Sequence, residues 1–181
     1  MTCRRPDKPV EEEFTAPPHR MTDKVGRELE LRRVTDDDVE ALREMYLDFD
    51  SADRAQGIPP SGERRIREWL DVVLADQTLN VVAWHEGDAV GHAMLVADVD
   101  ESYELAIFVH QRYQNAGIGT ALMRTTLGAA QERGIRRIWL SVERWNSPAI
   151  ALYEKIGFER TGSTSFEMEM TIQIAARENG D

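Results

Sequence analysis

The residues with the clearest chemical potential lie in the polar segment Gln114–Thr120, directly after the apolar stretch Glu104–Val109. Gly117 and Gly119 stand where we predict that a helix begins, and glycine lets a ligand approach the backbone because it has no Cβ. The first N–H groups of a helix lack partners within the helix, so they can donate hydrogen bonds to phosphate oxygens. The segment therefore indicates a phosphate-binding loop, with a tight turn that binds nothing as the alternative.

A second pattern follows in the C-terminal part of the chain. Arg137–Val142 alternates between polar and apolar residues, which predicts a strand. Asn146 then precedes Pro148 as a cap residue precedes a first-turn proline, so a helix is predicted from that point. This helix carries Tyr153 on its apolar face and ends at Gly157. Together with the glycine loop, the pattern gives strand, loop, helix, strand and helix in close succession.

In order, these elements read strand, Q-x-x-G-x-G, helix, strand and N-x-x-A-x-x-L-Y-x-x-x-G-F. This arrangement resembles the GNAT superfamily of acyl-CoA-dependent N-acetyltransferases over residues 28–174. The resemblance implies an α/β (α+β) fold of GNAT type, with a twisted, mostly antiparallel sheet flanked by helices. It also implies transfer of an acetyl group from acetyl-CoA to a primary amine by direct attack in a ternary complex. The acceptor is left open among a small amine, an amino acid and a protein amine.

The resemblance implies where acetyl-CoA binds. Its pyrophosphate would lie on the glycine loop, and its pantetheine arm would pair with the end of the central strand, a form of strand addition. The family's loop commonly has glycine and then a basic residue where Asn115 and Ala116 stand here, so a weaker hold on phosphate is expected. Asn146 matches a family position that contacts the pantetheine arm; the alternative is that it only caps the start of a helix. The residues assigned to the cofactor are Phe108, Val109, Gln114, Asn115, Ala116, Gly117, Ile118, Gly119, Thr120 and Asn146.

The resemblance also assigns the acid and the base. Tyr153 stands at the family's general-acid position, and a phenol of pKa about 10 remains protonated at neutral pH. The alternative for Tyr153 is an aromatic ring that packs into the core. Glu104 matches a base used in some branches, and Glu101 matches others; strand alternation would place them on opposite faces. If neither carboxylate acts, water accepts the proton.

The composition excludes some classes of function. The net charge is −11, from 33 acidic and 22 basic residues, and so acidic a chain argues against nucleic-acid binding. It would attract a cationic amine instead. Cys3 is the single cysteine, so neither an internal disulfide nor a cysteine metal cluster is expected. No apolar run is long enough to span a bilayer, and we predict a cytoplasmic enzyme that needs no metal and contacts no membrane.

Two further interpretations stay open. A non-catalytic acyl-CoA-binding sensor or regulatory module would keep the glycine loop and lack the acid and the base. The resemblance also allows a homodimer through the last strands. A nucleotide-hydrolysing P-loop protein is disfavoured, because the loop does not end in G-K-[ST].

The chain is predicted to form one domain over residues 28–176, with short tails at 1–27 and 177–181. Residues 1–27 are rich in proline and charge, so a disordered or weakly ordered tail is expected. Helices are predicted after Thr35 and over Ser61–Asp76, and the strands between residues 79 and 109 should form an antiparallel meander. The strand Arg137–Val142 follows a helix and should therefore run parallel to the central strand.

Overall fold

The computed structural model describes residue 6, residues 8–54 and residues 58–177. In that part of the chain the strands are β1 His19–Thr22, β2 Glu28–Arg33, β3 Leu79–His85, β4 Asp88–Ala97, β5 Ser102–Val109, β6 Arg137–Glu143, β7 Glu159–Ser163 and β8 Glu167–Gln173. The α-helices are α1 Val39–Leu47, α2 Glu63–Val73, α3 Ile118–Arg133 and α4 Ser147–Ile156. The strands form one sheet in the order β1-β2-β3-β4-β5-β6-β8-β7.

Every neighbouring pair in this sheet is antiparallel except β5 and β6, which are parallel. The parallel pair is joined by α3, because two parallel strands need a long crossover connection. The predicted mixed α/β fold with a mostly antiparallel sheet, and the parallel placement of the strand after α3, are confirmed.

Helices cover both faces of the sheet. Successive strand residues point to opposite faces, so Val81 packs in the cluster that includes α3 while Val82 packs in the cluster formed by α1 and α2. The α3 side is centred on Leu122 and Leu127, both without exposed surface. Apolar burial of this kind is worth about 1.5–3 kcal/mol per large side chain, so the two layers fix the sheet that carries the site.

The first two helices differ slightly from their predicted bounds. The three residues after Thr35 form a short 3₁₀ turn that leads into α1, and the Asp38 carboxylate accepts a hydrogen bond from the Thr35 N–H at 2.7 Å. Arg32 pairs with Asp38 at 2.8 Å, which ties the start of α1 to β2. The second helix begins after Gly62 and ends at Val73, so it is shorter than the predicted segment.

The N-terminal segment is more ordered than its composition indicates. The sequence predicts a loose tail up to residue 27, but β1 pairs with β2, and Phe14 is only 1% exposed. The Phe14 N–H donates to the Gln131 side chain at 2.9 Å, and the Val10 N–H donates to the Gln173 carbonyl at 2.7 Å. The segment has no periodicity of its own; it is ordered by docking on α3 and on strands that the rest of the chain has formed.

A buried polar chain links α1 to the sheet. The His92 ring has no exposed surface, its Nδ1 lies 2.7 Å from the Tyr46 hydroxyl, and its Nε2 lies 2.8 Å from the Asn80 Oδ1. The Asn80 amide nitrogen donates to the Val73 carbonyl, so its oxygen is the acceptor for the imidazole. His92 is therefore a neutral ring that accepts from Tyr46 and donates to Asn80, and burial lowers its pKa to about 3.

We expect this histidine to make stability depend on pH. In the unfolded chain His92 takes up a proton below about pH 6.5, whereas the folded protein takes it up only near pH 3. Its contribution is therefore complete above pH 6.5 and is lost as the pH falls, by about 1.4 kcal/mol per pH unit from this group. Urea unfolding of wild type and His92→Gln between pH 7 and pH 4 measures it. Equal pH slopes in the two proteins would refute the assignment.

Candidate active site

The central strands part from one another in the middle of the sheet. β5 and β6 pair only at Ser102–Glu104 with Arg137–Trp139, although both strands continue beyond that point. A cleft of about 220 Å³ opens where they separate. Its walls include Glu104, Phe108, Met123, Leu140, Tyr153 and Glu167. The split brings residues of β5, α3, β6, α4 and β8 around one opening.

The exposed edge of β5 offers backbone groups to this cleft. The His110 N–H donates to the Val90 carbonyl on β4. Because backbone groups alternate in direction along a strand, the N–H and the carbonyl of Val109 point away from β4, towards the cleft. Consistent with this direction, the Val109 carbonyl accepts from the Gln114 side chain at 3.0 Å rather than from β4. By the same alternation the backbone N–H and carbonyl of Ile107 also point towards the cleft. Ile107 was not among the cofactor-binding residues predicted from the sequence.

Phe108 contributes its ring to the cleft, whereas the prediction was that its backbone would pair with the cofactor. Its backbone lies opposite His92 of β4, so it is not available for pairing across the cleft. Its ring instead packs edge-on against Tyr46 and Trp69, with ring centroids 5.9 and 5.8 Å apart. Phe108 therefore forms an apolar wall of the cleft, and the backbone groups directed towards the cleft are those of its two neighbours, Ile107 and Val109.

The glycine loop has the geometry of a backbone anion site. Gly117 caps α3 with a left-handed φ of 89°, and Asn115 has a φ of 58°. The Ala121 N–H donates the first hydrogen bond of α3, to the Gly117 carbonyl. The N–H groups of residues 118–120 therefore have no acceptor within the helix. A Cβ at Gly119 would lie 3.7 Å from the Val109 side chain, so the start of α3 lies against the end of β5. This cradle fits the phosphate groups of coenzyme A.

The loop side chains are divided between solvent and core. Gln114 and Asn115 are exposed, and Thr120 is half-buried. Ala116 and Ile118 are 3% and 1% exposed, so their side chains anchor the loop and only their backbone can meet a ligand. Among the loop residues, a ligand at the start of α3 would thus be bound mainly by main-chain N–H groups.

Tyr153 reaches the cleft from α4. Its ring is partly buried beside Phe158, with centroids 6.0 Å apart, and burial raises the pKa of the hydroxyl. Among the described residues the hydroxyl has no hydrogen-bond partner. Tyr153 therefore packs against a core aromatic and also lines the opening, and its hydroxyl is protonated at neutral pH.

Of the two candidate bases, the structure brings only Glu104 to the cleft. Burial, followed by the nearby carboxylates of Asp98 and Glu167, raises the pKa of Glu104. Glu101 lies in a turn before β5 with a φ of 58°, is exposed and does not line the cleft. It is not in the strand, so the predicted alternation between the two residues does not apply.

Asn146 lies at the start of α4 and outside the cleft walls. Its side-chain oxygen accepts from the Ala149 N–H at 3.4 Å, as a helix cap does. Glu167 lines the cleft but was not assigned to it from the sequence. The signal available was the alternation of Glu167 and Glu169 with methionines, which indicates two faces but not which one meets the cleft.

Within residues 8–54 and 58–177, no group of three His, Cys, Asp or Glu side chains is arranged to hold a metal ion. No helix in the described part of the chain is both long and apolar enough to cross a membrane.

The geometry agrees with a comparison of the sequence against known families. Residues 39–158 match the family described as "Acetyltransferase (GNAT) family". The chain belongs to this family. An L-amino acid N-acetyltransferase of Escherichia coli is 30% identical over 145 residues, which cover 75% of this chain and 86% of that protein.

Two other relatives match a shorter region. An uncharacterised N-acetyltransferase of Mycobacterium tuberculosis is 35% identical, over 49% of this chain and 57% of its own length. The Escherichia coli enzyme named for the alanine of ribosomal protein bS18 is 34% identical, over 46% of this chain and 56% of its own length. The chain thus matches a little over half the length of these two curated relatives.

Solved structures share the GNAT fold. The GNAT domain of an S. lividans protein superposes with a TM-score of 0.72 at 18% identity, covering 87% of this chain and 97% of that domain. A Salmonella typhimurium protein solved with acetyl-CoA gives a TM-score of 0.65 at 19% identity, covering 84% of this GNAT chain and 98% of its own.

Proposed function

We propose that this GNAT protein transfers the acetyl group of acetyl-CoA to a primary amine within a ternary complex. The observation that carries the proposal is the cleft between β5 and β6, which has both Tyr153 and Glu104 in its walls, together with the backbone anion cradle at the start of α3 that follows β5. Acetyl-CoA supplies a thioester whose carbonyl carbon is open to a nitrogen nucleophile. A solved neighbour that contains acetyl-CoA supports this choice of donor.

The chain's own residues have complementary roles in the proposal. The N–H groups of Ile118, Gly119 and Thr120 hold the pyrophosphate, and the Val109 N–H pairs with the amide-bearing arm. The Ile107 N–H, one strand repeat farther from the loop, stabilises the oxyanion that develops at the carbonyl. Such donors cost little reorganisation, because the strand and the helix fix their direction.

Proton transfer accompanies the exchange of bonds. A C–N bond forms to the acceptor amine and the C–S bond of the thioester breaks. Glu104 accepts the proton lost by the amine nitrogen, directly or through water, and Tyr153 donates its proton to the departing sulfur. A thiol has a pKa of about 8.5 and a phenol about 10, so the tyrosine is protonated before the step at neutral pH.

The charges around the cleft favour a cationic acceptor. Glu104 and Glu167 line the opening, and Asp98 is close enough to raise the pKa of Glu104. Carboxylates attract an ammonium group and can then accept its proton. The names of two relatives, one for L-amino acids and one for a protein alanine, are compatible with an α-amine as acceptor.

The test is a turnover screen with acetyl-CoA against L-amino acids, polyamines, peptides with a free α-amine and α-blocked peptides containing lysine. Release of free thiol together with the mass of one added acetyl group on an acceptor is the expected result. Binding of acetyl-CoA without turnover on any amine would favour a sensor instead.

Glu104→Gln should lower kcat/KM at neutral pH by about 100-fold, because the amide cannot accept the proton. The base must be ionised, so wild-type activity should fall as the pH drops through the pKa of Glu104. Burial and neighbouring carboxylates raise that pKa, and this decline should begin above the range of an ordinary glutamate. The variant should lack this acidic limb in its pH–rate profile.

Glu101→Gln is the matched control, since Glu101 is exposed and lies outside the cleft. Its activity and pH profile should equal those of wild type. Loss of activity in Glu101→Gln with full activity in Glu104→Gln would reverse the assignment.

A further inference from the structure

Lys24 lies against the glycine loop although it comes from a distant part of the sequence. It belongs to the turn between β1 and β2, and its N–H donates to the Ala116 carbonyl at 3.0 Å. A Cβ placed on Gly117 would lie 3.6 Å from the Lys24 Cε and 3.9 Å from its Cγ. The aliphatic stem therefore runs over the residue that caps α3, and the ammonium group is one bond beyond Cε.

The surroundings of the Lys24 ammonium group determine whether it has an ion-pair partner. Within the described residues Lys24 forms no ion pair. The adjacent Asp23 is occupied by Arg27 at 2.6 Å and by the N–H groups of Val25 and Arg27. None of the three lysines forms an ion pair within the described residues, so what distinguishes Lys24 is its position over the glycine loop.

The position of this charge favours the binding of an anion. The N-terminus of a helix carries a partial positive charge, so a lysine beside it is unfavourable unless an anion lies between them. The segment Gln114–Thr120 contains no charged side chain of its own. Lys24 therefore stands where a bound phosphate would find both a cation and main-chain N–H donors.

We propose that Lys24 supplies the cationic contact to the pyrophosphate of coenzyme A, in place of the basic residue that the loop lacks. This inference rests on the proposed function. It makes the N-terminal segment part of the cofactor site. It also divides the binding of phosphate between two elements, with α3 giving directed N–H groups and the β1–β2 turn giving charge.

Calorimetric titration of coenzyme A into the full chain tests the proposal without any need for turnover. Lys24→Ala should weaken binding about tenfold, the size of one charge-assisted hydrogen bond. Lys24→Arg should retain most of the affinity. Lys155→Ala is the matched control, because Lys155 is an exposed lysine at the end of α4, and it should bind as wild type does.

A ligand series identifies which group Lys24 meets. Dephospho-CoA keeps the pyrophosphate and lacks the 3′-phosphate, and pantetheine lacks both. The affinity of Lys24→Ala should fall by the same factor for coenzyme A and for dephospho-CoA, and its affinity for pantetheine should equal that of wild type. A loss seen with coenzyme A alone would assign Lys24 to the 3′-phosphate and overturn the pyrophosphate contact.

Two other results would also be decisive. An equal loss with pantetheine would mean that the substitution disturbs the loop structure and would refute a charge contact. Unchanged affinity of Lys24→Ala for coenzyme A would overturn this inference alone, whereas failure of the wild type to bind coenzyme A would overturn the proposed function itself.

Discussion

Tyr153→Phe should lower kcat by about 100-fold or more and leave the affinity for coenzyme A close to that of wild type. The substitution removes one hydroxyl and keeps the ring that packs near Phe158. Without this acid the sulfur must leave as a thiolate, so the loss should be smaller with acyl donors whose thiol is more acidic. Steady-state rates with donors of graded thiol pKa, together with calorimetry on coenzyme A, measure both parts of the prediction.

Tyr103→Phe serves as the matched control for this experiment. Tyr103 is a partly buried tyrosine of β5 that does not line the cleft, so the same chemical change there should leave kcat unaltered. If Tyr153→Phe retains full activity while the wild type turns over, the ring acts only in packing and the departing sulfur takes its proton from water.

Gly128→Ala should destabilise the protein by about 1–3 kcal/mol, the usual cost of forcing extra volume into a packed site. Alanine normally stabilises a helix interior relative to glycine by up to about 1 kcal/mol, so the expected sign is the reverse of the general rule. A Cβ on Gly128 would lie 2.7 Å from the Thr15 carbonyl group and 2.8 Å from the Ala16 nitrogen. These are backbone atoms, which cannot swing aside as a side chain can. The midpoint of urea unfolding measures the change.

Gly119→Ala is the comparison within the same helix. There the nearest atom to a new Cβ is 3.7 Å away, and the φ of Gly119 lies outside the positive region, so stability should stay the same or rise. A Gly128→Ala protein more stable than wild type would show that residues 14–16 do not pack on α3 in solution.

Local signals in the sequence identify the elements closest to the proposed chemistry. The two glycines at the start of α3 predict the loop because few other residues can adopt its backbone angles or allow so close an approach. Asn146 with Pro148 predicts the start of α4 for a similar reason, since caps and first-turn prolines act within a few residues. The parallel direction of β6 follows from a single helical crossover.

Contacts between distant segments account for what the sequence does not predict. Glu167 reaches the cleft because it pairs with Glu143 across β6 and β8, a register that no local pattern specifies. The direction of the Phe108 backbone depends likewise on its place opposite His92. The N-terminal segment offers one buried aromatic residue, Phe14, and its order comes from surfaces that exist only after α3 and the sheet have formed.

The separation of β5 from β6 divides the sheet into two halves, and the N-terminal segment is bonded to both. Near Val10 it is bonded to the end of β8, and through β1 it is bonded to β2 on the far side. Gln173 lies opposite Arg137, at the end where β5 and β6 still pair, so this segment links the two halves on the closed side of the split. That side is therefore fixed twice, by the short parallel ladder and by the N-terminal segment, and the opening for a donor molecule lies at the other end of the two strands.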